Sequence, residues 1–354
     1  MPRWLSSSSS RLPPRVDFLG IGAQKAGTTW LWEMLRADPR IWLARGKELH
    51  YFDRSFRYPS PNLLATDRFL ERLFSRAAHN RQFRRRCWTD VRNAISHRDW
   101  ELLRWLLRYY FRTCGDDWYL SLFQQGSGRV CGEITPAYAI LEREDVARIH
   151  RLLPDLKIIL LLRNPIDRAW SRIRFAWTLG EFDAVDDFAQ IRAAIERPGP
   201  SLRGDYLRTL EIWESHFLRP QIFIGFFDDI VERPSELLRD VLSFLGLEPG
   251  SSPGPRLRQN VGKSREAEMP LPVRCYLAKK YLPDLEKLSV RFGGHAERWR
   301  AEAATIISEG VSGTTCRDRP INPDANYLTV PRWQCIPPDN KKDKVSIHGR
   351  ANGE

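Results

Sequence analysis

The chain has 354 residues, and its 42% share of hydrophobic residues is ordinary for a globular protein, which excludes a wholly disordered or collagen-like chain. This length suits one large α/β domain or two small ones. Lys and Arg number 56 against 44 acidic residues, a net charge of +12. The excess predicts attraction to anions such as phosphorylated cofactors, acidic glycans or nucleic acid.

The sequence predicts neither a membrane span nor a secreted protein. The longest apolar run, 158–162, has the length of a strand, far short of the roughly 20 residues that cross a bilayer. The N-terminal residues lack the apolar core of a secretory signal, so we expect a cytoplasmic protein. The six Cys contain no C-x-x-C pair, which disfavours zinc ribbons and redox motifs. We expect free thiols, and only Cys316 and Cys335 are considered for a disulfide.

Strands and helices are predicted to alternate along the chain from residue 18 to residue 245. Short apolar runs predict strands at 18–22, 41–43, 129–134, 157–163 and 221–227. Periodic segments predict helices at 28–36, 65–112, 166–178, 207–217 and 234–245. This alternation indicates an α/β, P-loop-like three-layer fold with a central parallel sheet flanked by helices.

The two ends of the chain and its Arg-rich segment carry separate predictions. Residues 1–15 are rich in Ser, Pro and Arg and are predicted to be disordered. Residues 16–303 are predicted to form the functional domain, and 304–354 a poorly structured tail, because the periodicity fades after residue 303. One apolar stripe is predicted within the Arg-rich segment, formed by Trp100, Leu103, Leu107 and Tyr110.

The sharpest motif is Gly20-Ile-Gly22-Ala-Gln-Lys25-Ala-Gly27-Thr28-Thr29, which lies between a predicted strand and a predicted helix. Glycines let backbone N–H groups at a helix N-terminus approach an anion closely. Lys25 adds a positive charge there, and the Thr hydroxyls add hydrogen-bond donors. The motif departs from the Walker pattern, which ends in Gly-Lys-Ser/Thr, because Lys25 comes two positions before Gly27. It predicts an anion-binding loop.

Gly22–Thr29 resembles the 5′-phosphosulfate-binding loop of the sulfotransferases, most closely the heparan sulfate and bacterial carbohydrate-type enzymes. These enzymes move a sulfuryl group from 3′-phosphoadenosine 5′-phosphosulfate (PAPS) to an acceptor hydroxyl or amine. The resemblance implies PAPS as co-substrate and no metal. It implies donor contacts from Lys25, Ala26, Gly27, Thr28, Thr29 and Trp30. Lys25 would also stabilise the charge that develops on the leaving phosphate oxygen.

A second block, 162–171, resembles the element of this family that binds the 3′-phosphate. The matching residues are Arg163, at the carboxyl end of a predicted strand, and Ser171 on the helix that follows. Ligands bind at this edge of α/β sheets, and Arg offers bidentate phosphate contacts that Lys does not. The family also has a flexible basic loop over the nucleotide. Lys263 and Arg265 match that loop and are expected either to contact phosphate or to be solvated.

A third block, Lys47–Asp53, resembles the segment that carries the catalytic base of the heparan sulfate enzymes. By position the base is Glu48, with His50 and Asp53 as neighbouring site residues. A carboxylate or an imidazole within hydrogen-bond reach has to take the acceptor's proton. His50 is the alternative base, because phenol and steroid sulfotransferases use a His. In the structural alternative, Glu48 pairs with an Arg on a surface loop.

Two further blocks match the family with less specificity. Gly132–Tyr138 carries Ile134 where the heparan sulfate enzymes have a Lys, which weakens any prediction of a heavily sulfated acceptor. Gly204–Tyr206 resembles a family segment near the acceptor and the 3′-phosphate, or is part of an ordinary core helix. The acceptor itself, a small molecule or a glycan, is not readable from the sequence, and neither is the oligomeric state.

Two rival functions remain from the residues themselves. A P-loop nucleotide kinase would need Gly-Lys-Ser/Thr and an acidic strand tip to hold Mg²⁺, and only Phe227-Asp228-Asp229 offers such a tip. A nucleic-acid-binding protein would use the Arg-rich, aromatic-containing stretch from Arg81 to Arg112. A solvated basic helix face is favoured for that stretch, so a nucleic-acid partner is not expected.

Overall fold

The computed structural model describes residues 15–59, 69–181, 187–248 and 267–312. The predictions for Lys263, Arg265, the Cys316–Cys335 pair and most of both tails lie outside these residues. The strands are β1 (Phe18–Gly22), β2 (Ile41–Leu43), β3 (Val130–Ile134), β4 (Lys157–Leu162) and β5 (Ile222–Phe226). The helices are α1 (Thr28–Ala37), α2 (Phe69–Phe74), α3 (Ala78–Ser96), α4 (Trp100–Phe111), α5 (Asp116–Ser121), α6 (Arg143–Leu152), α7 (Pro165–Thr178), α8 (Phe188–Glu196), α9 (Pro198–Leu202), α10 (Tyr206–Glu214), α11 (Phe227–Glu232), α12 (Pro234–Phe244), α13 (Leu271–Phe292) and α14 (Gly294–Ser312).

The five strands form one parallel sheet in the order β2-β3-β1-β4-β5, which confirms the predicted fold class. All residues of β1 and all but the first of β4 are buried, as expected for interior strands of a sheet covered on both faces. The carboxyl ends of parallel strands meet at one edge. The loop before α1, the Thr135 turn and Arg163 therefore all follow strands at the same edge of the sheet.

The predicted helical segment at 65–112 is divided, within its described part, into α2, α3 and α4. Its predicted apolar stripe is wrong at two of four positions, because Trp100 and Leu107 are 56% and 47% exposed, while Trp105 and Leu106 are buried instead. The sequence of α4 is apolar on most positions, so periodicity alone does not select the buried face. Tertiary contacts select it: the Trp105 indole N–H donates to the Leu122 carbonyl oxygen at 3.0 Å.

The C-terminal part of the domain adds two helices that the sequence reading did not identify. α13 is followed directly by α14, and α14 continues to Ser312, past the expected boundary at residue 303. Its buried residues are Ala296, Trp299, Ala303 and Ile306, spaced as one helical face. Cys87, Cys114, Cys131 and Cys275 are buried, and they form no disulfide with one another. No helix in the four described stretches is long and apolar enough to cross a bilayer.

Candidate active site

The loop between β1 and α1 has the backbone of an anion-binding turn. Gly27 precedes α1 with φ at 93°, a left-handed conformation that favours glycine, and a Cβ at this position would collide with the side chain of Ile230. Thr28 and Thr29 open the helix, and no acidic residue lies in its first turn. The free N–H groups and the positive end of the helix dipole therefore face the loop, where they favour an anion.

Lys25 lies in a strongly positive environment. Burial and the positive charges around it together lower the pKa of Lys25 to about 8. These charges belong to Arg172, Arg163, Arg174 and Lys47. The Lys25 ammonium is 4.3 Å from the centre of the Phe175 ring on α7. Bringing these cations together costs free energy, and a bound polyanion would offset that cost.

Arg163 and Ser171 are brought to the same side of the sheet as this loop. The Arg163 guanidinium donates to the Lys25 carbonyl oxygen at 3.2 Å and lies 4.2 Å from the centre of the Phe227 ring. Its Nε is buried and has no hydrogen-bond partner among the described residues. Ser171 is buried on α7, one turn before Phe175, so it shares the helix face that Lys25 covers. Arg163 therefore contacts the donor loop (residues 22–29) directly, and Ser171 lies on the helix that carries Phe175, whose ring the Lys25 ammonium covers.

Tyr206 connects the last predicted block, Gly204–Tyr206, to the nucleotide side of the site. Its hydroxyl donates to the Arg163 carbonyl oxygen at 2.9 Å. Asp205, the residue before it, caps α10 by accepting from the Arg208 amide at 2.9 Å. The segment 204–206 is therefore a buried support for Arg163 rather than a set of exposed ligand groups.

Glu48, His50 and Asp53 form a line of alternating charges. His50 Nδ1 is 2.8 Å from Asp53 Oδ2, and His50 Nε2 is 3.6 Å from Glu48 Oε2. Burial would lower the pKa of His50, but the two carboxylates overcome it and raise the pKa to about 10. Burial would raise the pKa of Glu48, but the adjacent charge of His50 holds it below its ordinary value. At neutral pH the group is therefore an imidazolium between two carboxylates.

Lys47 joins this line to the donor loop, a contact to which sequence reasoning gave no role. Its ammonium donates to the Thr29 hydroxyl at 2.7 Å. Two positively charged residues, Lys25 and Lys47, therefore face the start of α1 from opposite loops. The sequence signal for Lys47 is only its position next to Glu48. Arg172 and Arg174 follow Ser171 by one and three positions. They were missed too, because their only sequence signal is that they lie near Ser171.

Some predicted site residues contribute differently from what was expected. Ala26 and Trp30 are buried in the core, so a donor contact from either would use its backbone. Ile134 is also core: a Cβ on Gly20 would lie 2.8 Å from its Cγ1. No cation enters the site from that position, and among the residues that the structure describes Lys25 and Lys47 are the ammonium groups at the loop.

The two acidic residues after β5, which a nucleotide kinase would use to hold Mg²⁺, already have partners within the protein. Asp228 accepts from the Trp299 indole N–H at 3.1 Å, and Asp229 is 2.7 Å from His295 Nε2. Donor atoms of Asp228, Glu232 and His295 lie within 4.8 Å of one another, but the Arg298 guanidinium pairs with Glu232 at 2.8 Å. A positive charge therefore already occupies this cluster.

Comparison with known proteins decides the family. A family model described as the sulfotransferase domain matches residues 15–265, well over half of the chain. The chain belongs to the sulfotransferase family. This confirms the family predicted from the sequence, whose enzymes use PAPS as co-substrate. It also sets aside the nucleotide kinase and the nucleic-acid-binding protein as the family of this chain.

Two curated relatives of this sulfotransferase are named for heparan sulfate. The mouse heparan sulfate glucosamine 3-O-sulfotransferase 3A1 is 27% identical over 252 residues, covering 69% of this chain and 48% of the relative. The bovine bifunctional heparan sulfate N-deacetylase/N-sulfotransferase 2 is 28% identical over 147 residues, covering 38% of this chain and 17% of the relative. The chain thus spans about half the length, or less, of these curated relatives.

A solved structure supports the fold. The crystal structure of a sulfotransferase from Alicyclobacillus acidocaldarius matches with a TM-score of 0.56 and 22% identity, covering 81% of this chain and 99% of that one. The likeness confirms the P-loop-like arrangement of sheet and helices. The roles of single residues stay predictions, and so do the domain boundaries and the cytoplasmic location.

Proposed function

We propose that this protein transfers a sulfuryl group from PAPS to a hydroxyl or amine of an acceptor. The observation that carries the proposal is the contact between two loops. The Lys47 ammonium donates to the Thr29 hydroxyl at 2.7 Å, so the base loop (residues 47–53) meets the donor loop where α1 begins. A nucleophile activated on one loop would then face a sulfuryl group held on the other. Such positioning supplies much of the barrier reduction in group transfer.

The donor would bind with its 5′-phosphosulfate on the loop before α1 and its 3′-phosphate near Arg163 and Ser171. Backbone N–H groups and the Thr28 and Thr29 hydroxyls suit the phosphosulfate oxygens. The Arg163 Nε, buried and unpartnered among the described residues, offers a donor to the 3′-phosphate. Lys25 would stabilise the charge that develops on the leaving phosphate oxygen, and Lys47 would do so for the sulfuryl oxygens. The proposed reaction uses no metal.

Glu48 is the proposed base, and His50 is not. An imidazolium whose pKa is raised to about 10 holds its proton at neutral pH and cannot accept another. Glu48, with its pKa held below the ordinary value, is an ionised carboxylate able to accept one. The acceptor oxygen or nitrogen attacks sulfur, the S–O bond to the phosphate breaks, and the acceptor's proton passes to Glu48. His50 orients Glu48, and Asp53 orients His50.

A carbohydrate hydroxyl or amine is the proposed acceptor. The support is the similarity to relatives named for heparan sulfate glucosamine, together with the cations that surround Lys25. Arg203 adds to these cations: it is buried, and the charges of both Asp53 and Glu48 act on it. Ile134, in place of a Lys, argues against a densely sulfated acceptor.

The direct test is transfer of radiolabel from PAPS to a panel of glycosaminoglycan oligosaccharides, phenols and steroids, with and without EDTA. We expect label in at least one unsulfated or sparsely sulfated oligosaccharide, unchanged by EDTA and lost in Lys25→Ala. The exposed Lys279 on α13 provides the matched control, because Lys279→Ala removes the same charge far along the chain from every site motif. Label only in phenols or steroids would overturn the carbohydrate assignment, and dependence on a metal would overturn the mechanism.

A further inference from the structure

Glu133 lies at the carboxyl end of β3, and its carboxylate is buried. The four groups that donate hydrogen bonds to it are all uncharged. One oxygen accepts from the hydroxyls of Tyr119 at 2.8 Å and Tyr138 at 3.0 Å. The other accepts from the Thr135 hydroxyl at 2.7 Å and the Leu49 amide at 3.3 Å. Burying a carboxylate costs free energy, and burial raises the pKa of Glu133, while the four donors oppose that shift.

Two of these hydrogen bonds lead to the base loop. The Leu49 amide donates to Glu133 directly, and the Tyr51 amide donates at 3.0 Å to the Tyr138 hydroxyl, which itself donates to Glu133. Glu133 thus fixes the backbone on both sides of His50.

The backbone between these fixed amides is in a conformation that side chains disfavour. Glu48 has φ at 63° and His50 has φ at 55°, both in the left-handed region that non-glycine residues adopt rarely. Such conformations persist where the surrounding structure over-determines them, and they cluster at functional sites. The two amides held through Glu133 follow Glu48 and His50 directly in the chain, so their hydrogen bonds constrain these two residues.

We infer that Glu133 is a positioning residue that sets the orientation of Glu48 and His50 through the amides of Leu49 and Tyr51. The inference rests on the proposed function, since it presumes that Glu48 is the base. Glu133 itself has no part in proton transfer. Its carboxylate is suited to this task because it accepts several hydrogen bonds and donates none.

Two variants test this role, and a third is the control. Glu133→Gln keeps the volume but turns one accepting oxygen into a donating NH₂, which faces either the Leu49 amide or the two Tyr hydroxyls. Tyr138→Phe removes the link to the Tyr51 amide. Tyr119→Phe removes a donor to the same Glu133 oxygen, but it breaks no hydrogen bond that leads to the base loop. It also keeps the ring stack on Tyr51 at 4.7 Å.

The measurements are hydrogen exchange of the full-length protein, affinity for 3′-phosphoadenosine 5′-phosphate (PAP), and kcat with the best oligosaccharide of the panel. In Glu133→Gln and Tyr138→Phe we expect faster exchange confined to the peptide over 47–53. We expect kcat to fall about a hundredfold, as for a misplaced catalytic group, with PAP affinity and KM changed less than about twofold. Tyr119→Phe should match the wild type in all three measurements.

A core residue without a positioning role would give a different pattern. Exchange would accelerate throughout β1, β3 and the base loop together, and kcat per folded molecule would be unchanged; this result would overturn the inference. The proposed function fails separately, through an inactive wild type or a fully active Glu48→Gln. In either case the exchange data, which need no acceptor, still support or overturn the ordering of the loop by Glu133.

Discussion

The donor loop and the base loop meet at Thr29 and Lys47, yet they are stabilised in opposite ways. Around the donor loop, like charges face one another: Lys25 is acted on by Arg163, Arg172 and Arg174. In the base loop, opposite charges alternate from Glu48 through His50 to Asp53. The like charges of the donor side therefore repel one another until an anionic ligand binds, whereas the opposite charges of the base side attract one another without a ligand. Substitutions on the donor side should change binding, and those on the base side should change kcat.

The largest expected effect is on the base side. Glu48→Gln should lower kcat about a thousandfold, within the range for loss of a general base, with PAP affinity unchanged. His50→Gln should cost less, because the imidazolium only orients Glu48. Steady-state kinetics with the best acceptor measure both values. A larger loss in His50→Gln than in Glu48→Gln would reverse the assignment of the base.

The next effect tests the junction of the two sides. Lys47→Met should lower kcat about a hundredfold, because it removes a charge-assisted hydrogen bond near the transferring group. Lys47→Arg should restore a substantial part of that loss, since charge matters more than shape here. The same assay reports both variants. Equal losses in Met and Arg variants would mean that Lys47 acts by fit rather than by charge.

On the donor side, Arg163→Ala should weaken PAP binding about thirtyfold, the value of a hydrogen bond to a charged group. It should also reduce the preference for PAP over AMP, which lacks the 3′-phosphate. Calorimetric titration of both nucleotides gives the two affinities. If the preference survives in Arg163→Ala, the 3′-phosphate lies elsewhere.

The smallest effect is a pH dependence of binding. Free Lys25, with its pKa lowered to about 8, loses its proton above that pH, whereas a bound phosphate would hold the proton on. Below pH 8 the affinity for PAP should therefore be flat with respect to Lys25, and between pH 8 and pH 9 it should fall about fivefold. Lys25→Arg should remove this fall, because Arg stays charged. A fall that persists in Lys25→Arg would assign the titration to another group.

The sequence was most informative where a function lies in one contiguous stretch. The loop at 20–29 and the strand-to-helix element at 162–171 carry their glycines, cations and hydroxyls within a few residues, so type and spacing predict both the fold and the ligand class. The parallel sheet followed from five short apolar runs for the same reason. These local patterns do not depend on how distant segments pack.

What the sequence could not provide depends on distant contacts. Lys47 and Thr29 are 18 residues apart, and Glu133 reaches Leu49 across 84 residues. Nothing in either local pattern indicates that pairing. The buried face of α4 was misjudged because the helix is apolar nearly all round. α14 was missed although Ala296, Trp299, Ala303 and Ile306 follow helical spacing, because the polar residues between them lower the local apolar signal.

The central claim is that the positive donor side is built for a 3′-phosphorylated nucleotide. The most direct test is isothermal titration of the full-length protein with PAP in EDTA, with ADP titrated in parallel. We predict tight binding of PAP that needs no metal and that ADP does not match. Binding of ADP as tight as that of PAP, or binding of PAP that appears only with Mg²⁺, would contradict the account.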